Sequence, residues 1–295
     1  MAERIEIMKT YKLYINGSFV RSESGRYFQL KNKKDEQLAN CSLSSRKDFR
    51  NAVQAARKAQ APWVSRSAYN IGQILYRIAE NLEGRKLEIA SLIAKEQSVS
   101  KAKAEGQVNE AIDRVVYFAG WTDKFQQVFS SVNPVASSHF NFSILEPTEV
   151  VGLVANSLIS FKDFVASIVA IICSGNSLVA LTPKQSTLSA IVLAEVLHHS
   201  DLPSGVVNIL SGEESELLPH FTSHMDVNAL LLLGNQFDLY EVGVQAASNL
   251  KRIKHWDSKY LKGDRLLSPY SIKDFMEVKT TWHPIEQTGI GSGGY

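Results

Sequence analysis

Three short, continuously apolar runs in the middle of the chain dominate its pattern. They are separated by two apolar segments of helical length, residues 161–173 and 187–199, and the runs themselves are residues 150–155, 177–181 and 206–210. Strands of a parallel sheet are buried on both faces, so they lack the alternation of a half-exposed strand. The pattern predicts a βαβαβ unit of an open α/β sheet, in which ligands lie at the carboxyl ends of the strands.

The segments after this unit extend the same pattern. Residues 226–233 predict a fourth apolar strand, and residues 250–253 predict a short fifth one. Helices are expected over residues 213–222 and 237–249. The predicted fold is therefore a Rossmann-like open parallel sheet flanked by helices.

The segments before the unit are mainly helical. Apolar residues at helical spacing predict an amphipathic helix from Arg46 to about Gln60, which Pro62 should end. Residues 69–95 repeat the pattern and should be divided in two at Gly84, and residues 101–129 form a third helical region.

Three segments alternate between apolar and polar residues. Residues 11–20 contain Asn16-Gly17, a strong hairpin turn signal. Residues 139–145 alternate like an exposed hairpin, and residues 275–282 like a late edge strand.

Composition narrows the class of protein. The chain has 295 residues, 44% of them hydrophobic and 21% charged, and its net charge of +2 gives no nucleic-acid or membrane-surface signal. No apolar run reaches the roughly 20 residues of a membrane span, and the N-terminus lacks a secretory signal. Cys41 and Cys173 are the only cysteines, which fits a reducing, cytoplasmic location better than a disulfide framework.

In this order, the segments resemble the aldehyde dehydrogenase superfamily. The resemblance rests on the runs LYINGSFV, VVYFAGWTDK, GVVNILSG, HMDVNALLLLGN and SPYSIKDFMEVKTTW, and it extends from about residue 11 to residue 282. It implies an NAD(P)-binding Rossmann-like domain, a small β-flap subdomain for oligomerisation and a flexible tail. The corresponding ranges are residues 1–130 and 146–264 for the first, 131–145 and 265–284 for the second, and 285–295 for the tail. The family's catalytic domain is expected between residues 253 and 267, where this chain has no room for it.

The resemblance also implies a chemistry whose residues can be checked. In the family a Cys thiolate attacks the aldehyde, a hydride passes to NAD(P), a Glu activates water, and an Asn stabilises the oxyanion. The Asn position is Leu158 and the Glu position is Trp256, neither of which can perform these roles, and the nucleophile belongs to the absent domain. Asn156 could replace the Asn, although it lies two residues away and should point differently.

The cofactor positions are altered as well. The Lys and Glu that bind the adenosine ribose fall on Leu181 and Lys184, although a Lys could favour the extra phosphate of NADP. Gly234-Asn235 stands where the family has Gly-Ser, and Asn235 could cap a helix next to a phosphate. Gly212 and Gly234 keep backbone clearance but could equally serve as turns. NAD or NADP binding through Lys184, Gly212, Gly234 and Asn235 would therefore be vestigial.

Other reactive side chains fit structural roles. Cys173 lies in an apolar helical run and should be a small buried hydrophobe, whereas Cys41 could become a nucleophile only through tertiary contacts. His220 and His224 have the spacing of metal ligands, yet a solvated pair is the simpler interpretation, and no metal site is expected. His198-His199 should lie at a helix C-terminus. The Gly-rich residues 289–294 follow no strand and carry no phosphate-loop prediction.

Three functional hypotheses remain. The favoured one is a catalytically inactive pseudoenzyme that forms a homo- or hetero-oligomer with a full-length aldehyde dehydrogenase through its flap strands, residues 137–145 and 275–282. This architecture resembles the C-terminal domain found in the sixteenth branch of the family. The alternatives are an NAD(P)-dependent oxidoreductase that acts on an aldehyde or oxo group through a rearranged site, and a nucleotide-binding sensor.

Overall fold

The computed structural model of the protein describes residues 8–156, 159–263 and 265–285. Leu158, residues 286–295 of the predicted tail and its Gly-rich run lie outside the described residues. The strands are β1 (Thr10–Tyr11), β2 (Leu13–Ile15), β3 (Ser18–Val20), β4 (Tyr27–Lys31), β5 (Gln37–Ser42), β6 (Ser131–Asn133), β7 (His139–Pro147), β8 (Val150–Ala155), β9 (Ser177–Leu181), β10 (Val207–Leu210), β11 (Ala229–Leu233), β12 (Arg252–Trp256) and β13 (Met276–Pro284).

Helices cover both faces of the central sheet and most of the first half of the chain. A short 3-10 turn, Lys184–Ser186, precedes the seventh of them. The helices are α1 (Arg46–Val64), α2 (Ala68–Gly84), α3 (Lys86–Gln97), α4 (Lys101–Ala119), α5 (Phe125–Phe129), α6 (Phe161–Ile172), α7 (Thr187–His198), α8 (Glu214–Ser223), α9 (Leu239–Ala246), α10 (Ser258–Lys262) and α11 (Pro269–Lys273).

The central sheet has seven strands in the order β12-β11-β8-β9-β10-β2-β3. The first five are parallel, and the β2–β3 hairpin continues the sheet in the antiparallel sense. Every residue of β8, β9, β10 and β11 is buried, which is why these strands appear in the sequence as unbroken apolar runs. The predicted α/β fold with a parallel sheet flanked by helices is confirmed.

The hairpin at the far edge of this sheet matches its sequence signal. Asn16 and Gly17 both have positive φ, 52° and 72°, as a two-residue hairpin turn requires. The Asn16 N–H donates to Asn208 Oδ1 at 2.9 Å, so β10 also fixes the turn.

Three helical predictions need correction. Pro62 does not end α1, which continues to Val64, because proline in the last turn disturbs only one preceding hydrogen bond. The third helical region is interrupted after Ala119 and resumes as the short α5. The helix after the fourth strand begins at Leu239 and ends at Ala246, so it is shorter than the predicted segment.

A separate sheet of three antiparallel strands, in the order β13-β7-β6, forms the flap. Nine residue pairs join β7 to β13, from Met276 opposite Pro147 to Pro284 opposite His139. The segment predicted as an exposed hairpin is one strand, β7, which pairs with β6 on one side and with the predicted late edge strand, β13, on the other. The assignment of these segments to separate domains stays a prediction.

Asn176 anchors the flap to the central sheet. Its buried side chain donates through Nδ2 to the Phe275 carbonyl at 3.0 Å, just before β13. Its Oδ1 accepts from the Glu149 N–H at 2.8 Å, between β7 and β8. One amide thus ties both roots of the flap to the start of β9.

Candidate functional site at the carboxyl ends of the strands

A cavity of about 650 Å³ lies at the carboxyl ends of β8, β11 and β12. Asn156 and the Gly234-Asn235 pair form its floor, and α4, α6 and the segment around α10 form its walls. The wall residues are Glu110, Arg114, Ile159, Ser160, Lys162, Asp163, Ser258, Leu261, Lys262, Gly263, Leu266 and Leu267. It is the position at which an open parallel sheet normally binds its ligand.

Asn156 is held between two strand ends. Its backbone N–H donates to the Leu233 carbonyl at 3.0 Å, and its Nδ2 donates to the Asn235 carbonyl. A Cβ on Gly234, whose φ is +113°, would lie 2.5 Å from Asn156 Oδ1, so only glycine allows this approach. The amide therefore joins β8 to β11, a structural use that limits its value as an oxyanion donor.

Trp256, at the expected position of the general base, is a core residue. It is the last residue of β12 and is 1% exposed, with its indole stacked on Tyr260 at a centroid distance of 4.9 Å. Its Nε1 donates to Asp274 Oδ2 at 3.1 Å. Burial raises the pKa of Tyr260 to about 12, so its hydroxyl stays protonated and also donates to Asp274 Oδ2, at 3.4 Å. These contacts bury the side chain at the end of β12, where the general base is expected.

The residues expected to bind the adenosine ribose have contacts within the chain. Leu181 is buried at the end of β9. Lys184 Nζ lies 2.5 Å from Glu213 Oε1 and 5.9 Å from the centroid of the Phe28 ring. A Cβ on Gly212 would lie 3.3 Å from Leu217 Cδ1, so this glycine permits close packing of α8. Lys184 and Gly212 lie apart from the cavity, whereas Gly234 and Asn235 line it.

The predicted cap at Asn235 is wrong. The N-cap of α9 is Asp238, whose Oδ1 accepts from the N–H groups of Tyr240 and Glu241 at 3.1 and 3.0 Å. Asn235 instead accepts the Ser258 N–H on its Oδ1 at 3.1 Å, which ties the end of β11 to α10. A carboxylate therefore already satisfies the amide groups that a pyrophosphate would use, and it would repel that anion.

These residues do not fit NAD or NADP. The ribose position offers a buried aliphatic side chain and a paired lysine, and the helix terminus offers a carboxylate. No step of a hydride transfer is therefore assigned to this chain.

Both cysteines are buried and lie away from the cavity. Burial raises the pKa of the Cys41 thiol in β5 to about 12, and Glu96 adds a smaller effect in the same direction. Burial also raises the pKa of Cys173 far above its ordinary value, and its thiol donates to the Ala170 carbonyl at 3.3 Å. A thiolate is the reactive form, so both side chains serve as small core hydrophobes.

The histidine pairs lie at helix ends. His198 is the last residue of α7 and His199 caps it, as predicted. His220 and His224 are half-buried rather than solvated, and both rings pack on Phe49, at centroid distances of 6.4 and 5.6 Å. Within the described part of the chain, no group of three His, Cys, Asp or Glu residues could hold a metal ion. Nor does any described helix have the length and apolarity to cross a bilayer.

Two ion pairs in the wall of the cavity were not predicted. Arg114 Nη1 lies 2.5 Å from Asp163 Oδ1, with both side chains largely buried, and Lys162 pairs with Glu110. The partners come from α4 and α6, about fifty positions apart, so no local pattern could have paired them. The charges within each of the two pairs cancel, and Lys262 adds a further positive charge to the wall.

Comparison with known proteins gives a consistent result. A sequence model of the aldehyde dehydrogenase family matches residues 19–255. A putative aldehyde dehydrogenase, DhaS, of Bacillus subtilis (strain 168) is 29% identical over 86% of this chain and 52% of its own length. A mitochondrial benzaldehyde dehydrogenase of Antirrhinum majus is 31% identical over 82% of this chain and 46% of its own.

The solved structures agree at the level of the fold. An NAD+ complex of an aldehyde dehydrogenase from Bacillus cereus superposes with a TM-score of 0.80 at 24% identity, over 84% of this chain and 51% of that one. The chain spans about half the length of the curated relatives it matches.

Proposed function

The chain belongs to the aldehyde dehydrogenase family, and we propose that it acts there as a non-catalytic subunit that assembles with a complete aldehyde dehydrogenase through its flap. In this role the chain would resemble the C-terminal domain found in the sixteenth branch of the family. The partner would supply the nucleophile, the general base and the cofactor contacts.

The outer edge of β13 is the observation that carries the proposal. This edge strand has nine residues, and seven of them are exposed. Val278 and Trp282, on one face of the sheet, are 61% and 56% exposed, and Phe140 on the other face is 48% exposed. A long edge strand with exposed apolar side chains on one face, beside an exposed phenylalanine of β7 on the other face of the sheet, is a template for another strand, and proteins usually cover or disrupt such edges.

A second apolar surface lies beside the root of the flap. Tyr240 and Val244 of α9 are 83% and 60% exposed, and Leu250 after the helix is fully exposed. Glu277 of β13 lines the same shallow depression as Leu250, so this surface reaches the root of the flap. Their combination favours a protein partner over a small ligand, because contiguous exposed apolar residues mark interaction sites.

The connection between β12 and β13 supports the absence of catalysis. Only residues 257–275 join these strands, and they form α10, α11 and the contacts that bury Trp256. A catalytic domain at this point would require an inserted segment that these short helices replace. The other two hypotheses have less support, since the buried Cys41 provides no nucleophile and the cofactor positions have internal partners.

Affinity isolation of the tagged chain from its source cell tests the proposal. We expect a complete aldehyde dehydrogenase, identified by mass spectrometry, to be retained together with NAD(P)-dependent aldehyde oxidation. A tagged Val278→Glu chain is the control and should retain much less of both. A chain that elutes as a monomer, while the dehydrogenase activity passes through unretained, would contradict the proposal.

A further inference from the structure

A basic groove of about 340 Å³ lies between the N-terminal turns of α1 and the C-terminal end of α8, and it shares no lining residue with the cavity described above. Four basic side chains line it, together with Phe49, Ser223 and Met225. The four are Arg46, Arg50, His220 and His224.

The positions of the two arginines are electrostatically unfavourable for the fold. Arg46 is the first residue of α1, and Arg50 lies one turn further along. The N-terminus of a helix carries partial positive charge, so basic residues there are destabilising. Dipole stabilisation explains histidines at the end of α8, but it cannot explain these arginines.

Neither guanidinium is neutralised by a neighbour. Within the described residues, no hydrogen bond or ion pair joins Arg46 or Arg50 to another side chain. The two acids that act on the histidines of the groove have other partners, since Glu216 lies 2.6 Å from Arg26 and Asp226 lies 3.6 Å from Arg57. The two guanidinium groups therefore have no ion-pair partner among the described residues of the groove.

His224 adds an oriented donor. Its Nδ1 accepts the Asp226 N–H at 3.2 Å, so Nε2 carries the ring proton even when the imidazole is neutral. Its ring is held against buried Phe49. Met225, 63% exposed at the rim, offers an apolar contact next to the charged groups.

We propose that this groove binds a tetrahedral oxyanion, such as the phosphate group of a phosphomonoester, through Arg46, Arg50, His220 and His224. The planar guanidinium fork donates two parallel hydrogen bonds to such an anion. The imidazole Nε2 of His224 supplies a further one, and the rim residue contacts the organic part of the ligand.

Binding should be linked to proton uptake by His220, since charging His224 would place a proton on its Nδ1 and break the bond with the Asp226 N–H. Burial lowers the pKa of His220, with Arg46 acting in the same direction and Glu216 opposing it. Burial likewise lowers the pKa of His224, to which Lys251, Arg57 and His220 add, while Asp226 opposes. A bound anion favours the charged imidazolium, so affinity should rise as the pH falls from 8 to 5.5.

Calorimetric titration with sodium sulfate tests the proposal, because sulfate keeps its two charges throughout this pH range. We expect saturable binding to the full chain, weakened at least about tenfold by Arg46→Gln combined with Arg50→Gln. The matched control, Lys12→Gln combined with Lys34→Gln, removes the same charge from exposed positions elsewhere and should leave the affinity within twofold. Inorganic phosphate at pH 8 should compete with sulfate.

The histidines are tested separately by His220→Gln combined with His224→Gln. This variant should bind sulfate with an affinity that no longer changes between pH 8 and pH 5.5. Absence of saturable sulfate binding, equal weakening by the lysine control, or an unchanged pH profile in the histidine variant would each overturn the proposal. Melting curves of all variants establish that they remain folded.

Discussion

The carboxyl edge of the parallel strands and the outer edge of the flap use their side chains in opposite ways. At the strand ends, Asn156, Lys184 and Trp256 all bond to other groups of the chain. Along β13, by contrast, Val278 and Trp282 project into solvent. Both regions derive from the same family fold, yet the first is closed by internal contacts and the second presents a surface.

The two edges differ in how readily they could bind a ligand or another protein. A ligand at the strand ends would have to displace hydrogen bonds that already satisfy buried groups, which costs more than the same contact in an open site. A strand added to β13 would instead cover apolar side chains and satisfy an exposed backbone edge. The contrast predicts that substitutions at the strand ends change folding, whereas those on the flap change assembly.

The largest effect is expected for Trp256→Glu, which restores the residue type of a general base. It should lower the free energy of unfolding by at least about 4 kcal/mol, because a large buried aromatic is lost and a carboxylate is buried beside Asp274. Urea unfolding followed by circular dichroism measures this. We expect no aldehyde-dependent NAD(P)H formation from either the wild-type chain or the variant.

The matched variant is Trp256→Phe, which keeps an aromatic ring but loses the Nε1 bond to Asp274. It should cost only about 1 kcal/mol for that hydrogen bond, plus a small packing term. If Trp256→Glu were as stable as the wild-type chain, position 256 at the end of β12 would have to be accessible to solvent rather than buried.

For the flap, Val278→Glu should weaken association with the partner by about 30-fold, equivalent to about 2 kcal/mol at a central interface residue. Its free energy of unfolding should change by less than about 0.5 kcal/mol, since the side chain is exposed. Analytical ultracentrifugation of the mixture, with thermal melting of the isolated chain, separates the two quantities.

Val116→Glu on α4 is the control for this experiment, since it places the same charge on an exposed valine outside the flap strands. It should leave association unchanged. Equal loss of association in both variants would show that added negative charge, rather than the β13 surface, is responsible.

The comparison also shows what sequence could and could not predict. The apolar runs identified β8, β9 and β11 because a strand buried on both faces has no other pattern available. The substitution of a base by Trp256 was visible as well, but its stacking on Tyr260 was not, since the contact depends on how α10 folds back.

The sequence-based predictions failed where a side chain bonds to a segment that is distant in sequence. Asn235 and Asp238 are both good N-cap residues. The choice between them depends on Ser258, a residue remote in sequence whose N–H donates to Asn235 Oδ1. The Arg114–Asp163 pair likewise joins two helices whose charges have no local relation. Local patterns predict elements, whereas the detailed site depends on packing between them.

Glu96 should make the stability of the fold depend on pH, with an effect of intermediate size. This buried carboxylate of α3 accepts the N–H groups of Leu188 and Ser189 at the start of α7. Burial raises its pKa to about 8, although those donors oppose the change. Because the folded-state pKa lies above the unfolded one, the folded chain holds the proton more tightly, and stability should fall as the pH rises from about 4.5 to about 8.

Glu96→Gln should remove this dependence, and the measured difference between pH 5 and pH 8 should shrink by at least about 1 kcal/mol. Urea unfolding at both pH values measures it. Glu88→Gln, an exposed carboxylate on the same helix, is the control. A wild-type chain that becomes more stable over this range would contradict the expectation.

The smallest effect is expected for Lys184→Ala, which tests the cofactor position directly. Its pair with Glu213 is about half exposed, so the free energy of unfolding should change by less than about 1 kcal/mol. Calorimetric titrations with NAD and NADP should show no saturable binding to either the wild-type chain or the variant. Glu213→Ala sharpens the test, since it removes the same ion pair but leaves the lysine available to a 2′-phosphate. NADP binding that is strengthened by Glu213→Ala and lost in Lys184→Ala would show that the strand ends are open to the cofactor.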